Sequence, residues 1–240
     1  MVINLYIYGK NTVNEALKTN KDIEAIYLAT NGVDTVKFEK IAQAKNIELI
    51  YYNANKMTEK FGKNHQGVVA KIRDYEYYPL ERLIKDIKDK EDVALAILDG
   101  LEDPHNLGAI MRTADASGMD GIIIPKNRSV GLNGTVAKVS TGAIEHVKVV
   151  QVANLVQTIQ KLKDNGFWVV GLDMDGSTDY KTHDYRGKIA VVIGSEGKGI
   201  SRLVKENCDY NVHIPMVGHV TSLNASVSAS LLFYEILRNR

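Results

Sequence analysis

The sequence predicts an α/β protein in two parts: a small mixed unit, then a larger parallel sheet flanked by helices. Three observations carry this expectation. From Val93 onward, short apolar runs alternate with amphipathic segments as far as the C-terminus, the pattern that builds a parallel sheet. The run over residues 93–98 is apolar without a break, as a strand covered on both faces requires. Residues 1–74 alternate too, but a polar and aromatic stretch, Asp74-Tyr75-Glu76-Tyr77-Tyr78-Pro79, separates them from the rest.

In the front unit, Asn11 or Thr12 can cap a helix running through Val13, Ala16 and Leu17. Residues 23–28 read as a strand, 35–45 as a helix, 47–51 as a strand and 56–61 as a short helix. After the Asn64-His65-Gln66-Gly67 turn, residues 68–72 close the unit as a strand. Some 75 residues lie near the lower end of what folds alone. Pro79 suits the first turn of a short helix reaching about Lys88, and the charged stretch 85–92 reads as a solvated helix face and loop. The boundary therefore falls between Arg73 and Asp92, giving a domain over 1–74, a linker with a short helix over 75–91 and a second domain over 92–240.

In the second part the expected strands are 93–98, 121–125, 147–150, 167–172, 189–193 and 211–214. The expected helices are 110–117, 155–164 (ending at Gly166), 200–206 and 225–238. No short-period repeat is present.

Composition narrows the function classes. Hydrophobic residues are 45% and charged residues 25%, as in ordinary globular proteins. No apolar run approaches the roughly 20 residues of a membrane-spanning helix. The N-terminus lacks a basic start followed by an apolar stretch, so it does not read as a signal peptide, and a cytoplasmic location is expected. The single cysteine, Cys208, excludes an internal disulfide and reads as a buried filler rather than a nucleophile. The histidines His65, His105, His146, His183, His213 and His219 show no metal-ligand spacing, so no metal is expected. Net charge is only +1, but residues 1–74 carry 11 Lys/Arg against 8 Asp/Glu and the remainder 19 against 21. A mildly basic front part suits phosphates, and equally a solvated surface.

Three segments combine polar side chains with glycines at strand ends. In the first, Leu98-Asp99-Gly100-Leu101-Glu102-Asp103-Pro104-His105-Asn106-Leu107-Gly108, a polar loop leads to a helix near Gly108, with Arg112 on its first turns. Sites in open α/β sheets lie at the carboxyl ends of strands, so this loop is well placed. By residue type alone, the plainer reading has Asn106 as a helix cap and Arg112 as a surface charge. The second, Gly194-Ser195-Glu196-Gly197-Lys198-Gly199-Ile200, needs either positive φ or close approach of a ligand to the backbone. Its Gly-x-x-Gly-x-Gly spacing matches neither the dinucleotide fingerprint nor the phosphate loop. In the third, residues 214–228, a strand stops at Pro215, a loop turns at Gly218 and a helix starts near Asn224, with Ser222 or Asn224 as its cap. Ala225, Ser226, Ser228, Ala229 and Ser230 let that helix pack closely on a neighbour.

Together, in this order and spacing, residues 106–113, 194–200 and 214–228 resemble the three motifs of the SpoU (TrmH) family of RNA 2′-O-ribose methyltransferases, within the SPOUT superfamily. The front unit resembles that family's ribosomal-protein-like substrate-binding domain through Tyr8-Gly9-Lys10-Asn11-Thr12-Val13 and His65-Gln66-Gly67-Val68-Val69-Ala70. The resemblance implies a SPOUT methyltransferase domain closed by a deep trefoil knot, a homodimer, and S-adenosylmethionine as methyl donor. It implies cofactor contacts at Gly194, Ile214, Met216 and Leu223, and a catalytic set of Asn106, Arg112, Glu196, Ser222 and Asn224. Asn106 and Glu196 would orient the Arg112 guanidinium beside the reacting ribose. The two-domain layout is most similar to enzymes that modify a guanosine of large-subunit ribosomal RNA, with transfer RNA as the alternative. Two rivals are weaker. A nucleotide-dependent oxidoreductase lacks its Gly-x-Gly-x-x-Gly after residues 93–98, and a non-catalytic RNA-binding relative would not need the polar positions intact.

Overall fold

The computed structural model describes residues 5–18, 23–30, 35–72 and 75–240, which form two compact units, Met1–Glu76 and Tyr77–Arg240. Met1 to Asn4, and Arg73 and Asp74 at the start of the expected connector, lie outside the described residues.

The front unit runs β1 (Leu5–Tyr8), α1 (Lys10–Lys18), β2 (Ile23–Ala29), α2 (Thr35–Ala44), β3 (Glu48–Tyr52), α3 (Ala54–Phe61), a 3-10 turn (Lys63–His65) and β4 (Val68–Ile72). The sheet order is β1-β4-β2-β3, with β2 parallel to β3 and β4 antiparallel to both its neighbours. Strand β2 is central, and six of its seven residues are buried, which explains its near-continuous apolar character. One face packs on α1 and α2 through Val13, Leu17, Ile26, Leu28, Phe38 and Ala42. The other is covered by the short α3, whose Met57 is fully buried.

Two details differ from the sequence expectation. Strand β1, unassigned from sequence, is a four-residue edge strand held only by β4, too short to show a period. Helix α1 starts at Lys10, so Asn11 and Thr12 lie inside its first turn and do not cap it. The Lys10 amide instead donates to Gln66 Oε1 at 3.2 Å, a partner 56 residues away that no local rule can name.

The second unit begins with α4 (Leu80–Asp86), whose Leu83 is buried in the main core. Then follow β5 (Val93–Asp99), α5 (Pro104–Ala116), β6 (Gly121–Pro125), α6 (Gly134–Val139), a 3-10 turn (Ala143–Glu145), β7 (Val149–Val152), α7 (Leu155–Lys163), β8 (Trp168–Leu172), β9 (Thr178–Asp179), β10 (Lys188–Gly194), α8 (Arg202–Glu206), β11 (Tyr210–His213) and α9 (Ala225–Asn239). All seven strands are parallel, in the order β7-β6-β5-β10-β8-β11-β9. The chain builds outward from β5 to β7, then returns to lay β10 on the free side of β5. That reversal opens the crevice at the carboxyl ends of β5 and β10.

Helix α5 begins at Pro104, ahead of the expected start at residue 110. Asp103 Oδ1 accepts from the His105 amide at 2.9 Å, with Pro104 in the first turn. Asn106 is therefore a buried first-turn residue, not a cap. Gly108 lies within α5, and a β-carbon there would lie 2.6 Å from Val139 Cβ, so the absence of a side chain lets α5 close onto α6. Helix α6, capped by Asn133, carries no sequence assignment, being six residues with little apolar period.

Candidate active site

Each of the three polar segments is anchored by its own local chemistry. Strand β10 ends at Gly194, and the chain doubles back so that Ser195 and Gly199 exchange amide-to-carbonyl bonds of 3.1 and 2.9 Å. Gly197 (φ 78) and Gly199 (φ 65) take left-handed backbone within this hairpin. A β-carbon on Gly194 would stand 2.1 Å from the Gly199 carbonyl carbon, so the first demand on Gly194 comes from the chain itself. The Ser201 amide donates to Asp99 Oδ2 at 2.7 Å, tying the end of the loop to β5.

The hairpin presents Glu196 to the amino ends of two helices. Asn106 Nδ2 on α5 donates to Glu196 Oε1 at 2.9 Å. Asn224 Nδ2, at the start of α9, donates to the same oxygen and also to Asn106 Oδ1 at 3.0 Å. The Ala225 amide donates to Glu196 Oε1 at 3.4 Å. Asn224 Oδ1 meanwhile accepts from the Ser226 and Val227 amides at 2.9 and 3.4 Å, making Asn224 the cap of α9. One carboxylate thus joins residues 90 positions upstream and 28 downstream, and two helix amino ends favour its negative charge.

Two other expected catalytic residues stand apart from this knot of hydrogen bonds. Arg112 is exposed on α5, about 9 Å along the axis from Asn106 and roughly 120° around it. Its guanidinium has no hydrogen bond or ion pair among the described residues, so Asn106 and Glu196 bond each other rather than orienting it. Ser222 is exposed, two residues before the cap. Beside Arg112, Thr113 Oγ1 lies 3.1 Å from Ser230 Oγ where α5 and α9 pack together. The small residues of α9 therefore serve contact within the chain, while Val227, Leu231, Tyr234 and Leu237 face outward.

The expected cofactor positions Ile214, Met216 and Leu223 are half-buried in the loop between β11 and α9. Residues 214–223 make no backbone hydrogen bond among the described residues, leaving amides and carbonyls beside aliphatic side chains. Such a surface fits adenosine, which offers an apolar ring and hydrogen-bonding edges.

Sequence reading missed a cavity of about 670 Å³ at the carboxyl ends of β5, β6, β7 and β10. Asp99, Glu102, Asn106, Arg128, Glu196 and Lys198 contribute to its wall, whereas Arg112, Ile214, Met216 and Leu223 do not. No local sequence signal marks Arg128; in the structure it holds a φ of 56, an uncommon conformation for a side chain of its size. Cys208 packs against the main core, and burial pushes its thiol up to about 12, so it is no nucleophile at neutral pH. Among the described residues no group of three His, Cys, Asp or Glu side chains could hold a metal ion, and no helix is long and apolar enough to cross a membrane.

The sequence profile of the SpoU rRNA Methylase family matches residues 93–234, and a profile for RNA 2′-O ribose methyltransferase substrate binding matches residues 6–78. The chain belongs to the SpoU (TrmH) family of RNA methyltransferases. A Staphylococcus aureus protein described as a TrmH family tRNA/rRNA methyltransferase is 52% identical over 98% of this chain and 96% of its own. The Bacillus subtilis protein YacO, described in the same terms, is 49% identical over the same shares. An AdoMet-bound rRNA methyltransferase from Sinorhizobium meliloti superposes with a TM-score of 0.75 at 25% identity, covering 98% of this chain and 87% of that one. An A. aeolicus TrmH/SpoU tRNA modifying enzyme gives 0.58 at 29% identity, covering 67% of this chain and 82% of its own. As a member of the family, this protein is an S-adenosylmethionine-dependent RNA methyltransferase.

Proposed function

We propose that this enzyme methylates a ribose 2′-hydroxyl, that of a guanosine in large-subunit ribosomal RNA. The observation that carries the choice of RNA is coverage: the rRNA methyltransferase from S. meliloti matches both units, whereas the tRNA modifying enzyme matches 67% of the chain. Transfer RNA is the second reading, favoured by the double description of the S. aureus and B. subtilis relatives. In this proposal residues 1–74 engage RNA, 92–240 carry the chemistry and 75–91 join them.

Gly194, Ile214, Met216 and Leu223 would hold S-adenosylmethionine, which supplies a methyl group already activated on a sulfonium. The protein must then orient the hydroxyl and manage its proton. Arg112 brings a planar, delocalised cation, so it stabilises the developing 2′-oxyanion and a neighbouring phosphate while the proton leaves to water. Asn106, Glu196 and Asn224 act one step back, holding the hairpin against both helices, and Ser222 lies where the loop meets the ribose. The Arg112 guanidinium, without a partner among the described residues, supports a site completed at a dimer interface, for which the outward face of α9 (Val227, Leu231, Tyr234) offers the apolar surface. A trefoil knot is part of the same reading, supported by the return of the chain from β11 to the Asn106–Glu196 junction.

The test is to map ribose methylation on ribosomal and transfer RNA from cells lacking the protein, then restore it with purified enzyme and labelled S-adenosylmethionine. A missing 2′-O-methylguanosine in large-subunit RNA that the enzyme replaces is the expected result. A gap confined to transfer RNA would select the second reading. A full set of ribose methylations, with no label transferred, would overturn both.

A further inference from the structure

On the α3 side of the front sheet, the side chains form a layer of rings. Tyr6 and Tyr8 come from β1, Tyr27 from β2, Tyr52 from β3 and Phe61 from α3. Phe61 is central, with ring centroids 5.1 Å from Tyr6, 5.0 Å from Tyr27 and 6.4 Å from both Tyr8 and Tyr52. Met57 and Phe61, four residues apart, turn one face of α3 into the layer, while Lys56 and Lys60 flank it. Lys56 Nζ lies 4.2 Å from the Tyr52 ring centre, and Lys60 Nζ lies 5.1, 5.3 and 5.5 Å from Tyr27, Tyr52 and Phe61. Tyr8 remains 43% exposed at the layer's edge. At the other end Lys71, in register with Tyr6, is neutralised by Glu24 at 2.6 Å. Positive charge with no carboxylate partner among the described residues is thus concentrated at the Lys56 and Lys60 end of the layer.

We propose that this edge, Tyr8, Tyr52 and Phe61 with Lys56 and Lys60, docks single-stranded RNA, one unstacked base lying on the rings while the two ammonium groups move to its flanking phosphates. The inference rests on the RNA-modifying role given above and names the docking face. Two features favour RNA over a protein partner. Tyr8 is an exposed ring on an edge strand, with the half-buried Phe61 beside it and Tyr52 stacked on Phe61, a cluster of the kind on which nucleic-acid bases stack. The cations over the layer, Lys56 and Lys60, are exposed. Among the described residues they are held by cation–π contacts and one hydrogen bond from Lys60 Nζ to Tyr52 Oη at 3.3 Å, contacts which a base can displace and a phosphate can replace.

The test uses the full chain and a fluorescein-labelled single-stranded RNA of mixed sequence, with a base-free ribose-phosphate strand of equal length as control. Tyr8→Leu keeps apolar area but removes the ring. It is expected to weaken RNA binding about tenfold and leave the base-free strand unaffected. Lys56→Gln with Lys60→Gln, both exposed, should flatten the slope of log affinity against log salt by about 1.4. This second variant decides the question even if Tyr8→Leu fails to fold. Unchanged RNA affinity in folded Tyr8→Leu, an equal loss with the base-free strand, or an unchanged salt slope would overturn the proposal. So would a dimer that Tyr8→Leu dissociates, because a second copy would then be the occupant. Methyl transfer is followed in parallel: transfer by wild type with normal binding by both variants sinks the docking face alone, whereas no transfer by wild type sinks the underlying activity.

Discussion

Glu196 accepts from Asn106, Asn224 and the Ala225 amide through a single oxygen, so its surroundings test what each partner contributes. Asn224 bonds both Asn106 and Glu196 and also caps α9. Asn224→Ala removes the cap and leaves the side-chain carbonyl oxygen of the buried Asn106 without that partner. We expect a loss of about 2 kcal/mol, read as a lower urea midpoint at unchanged m-value. Arg112 differs in kind, having no partner among the described residues that its loss would orphan. Arg112→Lys should therefore leave stability within about 0.5 kcal/mol of wild type. Single-turnover methylation should fall by about 100-fold, because the planar fork is lost although the charge remains. Near-wild-type turnover in that variant would remove fork geometry from the mechanism.

At the scale of elements, the close approach of α5 to α6 rests on Gly108. In an open helix, glycine to alanine gains about 1 kcal/mol. Here the new methyl would meet Val139 Cβ at 2.6 Å and Cγ1 at 2.9 Å, and the Val136 carbonyl at 3.1 Å. Overpacking of this kind costs about 1–3 kcal/mol, so Gly108→Ala should lower the melting temperature despite its better propensity. The exposed Gly118 is a different case: it has open space around its α-carbon, and its φ of 70 sets the cost of substitution. Legibility at this scale followed length and burial. Strands β5 and β10 are buried on both faces and were plain as apolar runs. Strand β1, β9 and α6 are four, two and six residues long, shorter than the windows in which a period can declare itself.

For the whole molecule, each unit has a hydrophobic core of its own: Val13, Ile26 and Phe38 in the first, Leu95, Val169 and Val192 in the second. A chain of residues 77–240 is therefore expected to fold alone, with a cooperative thermal transition. It should keep S-adenosylmethionine binding by calorimetry while losing most of its RNA affinity at matched salt. Unchanged RNA affinity would take that role away from the front unit. Leu231 and Tyr234, exposed on α9, test association: Leu231→Lys with Tyr234→Lys should yield a monomer by sedimentation if that face is the dimer seam. A wild-type chain that is already monomeric would discard the dimer.

The linear sequence by itself determined the two-part α/β layout, the buried parallel strands and the polar segments at their carboxyl ends. Those features arise from period, apolar runs and residue type, all of which are local properties. Asp103 instead of Asn106 at the start of α5 was also within local reach, through the Asp-Pro pair at the helix start. Only the tertiary structure decided that Asn106, Glu196 and Asn224 meet on one oxygen, that Gln66 receives the first amide of α1, and that Arg112 stands clear of them all. Hydrogen bonds between residues 28 to 118 positions apart depend on where the sheet brings its strand ends. Strand order leaves no trace in local periodicity, and so the polar residues could be named in advance but not their partners.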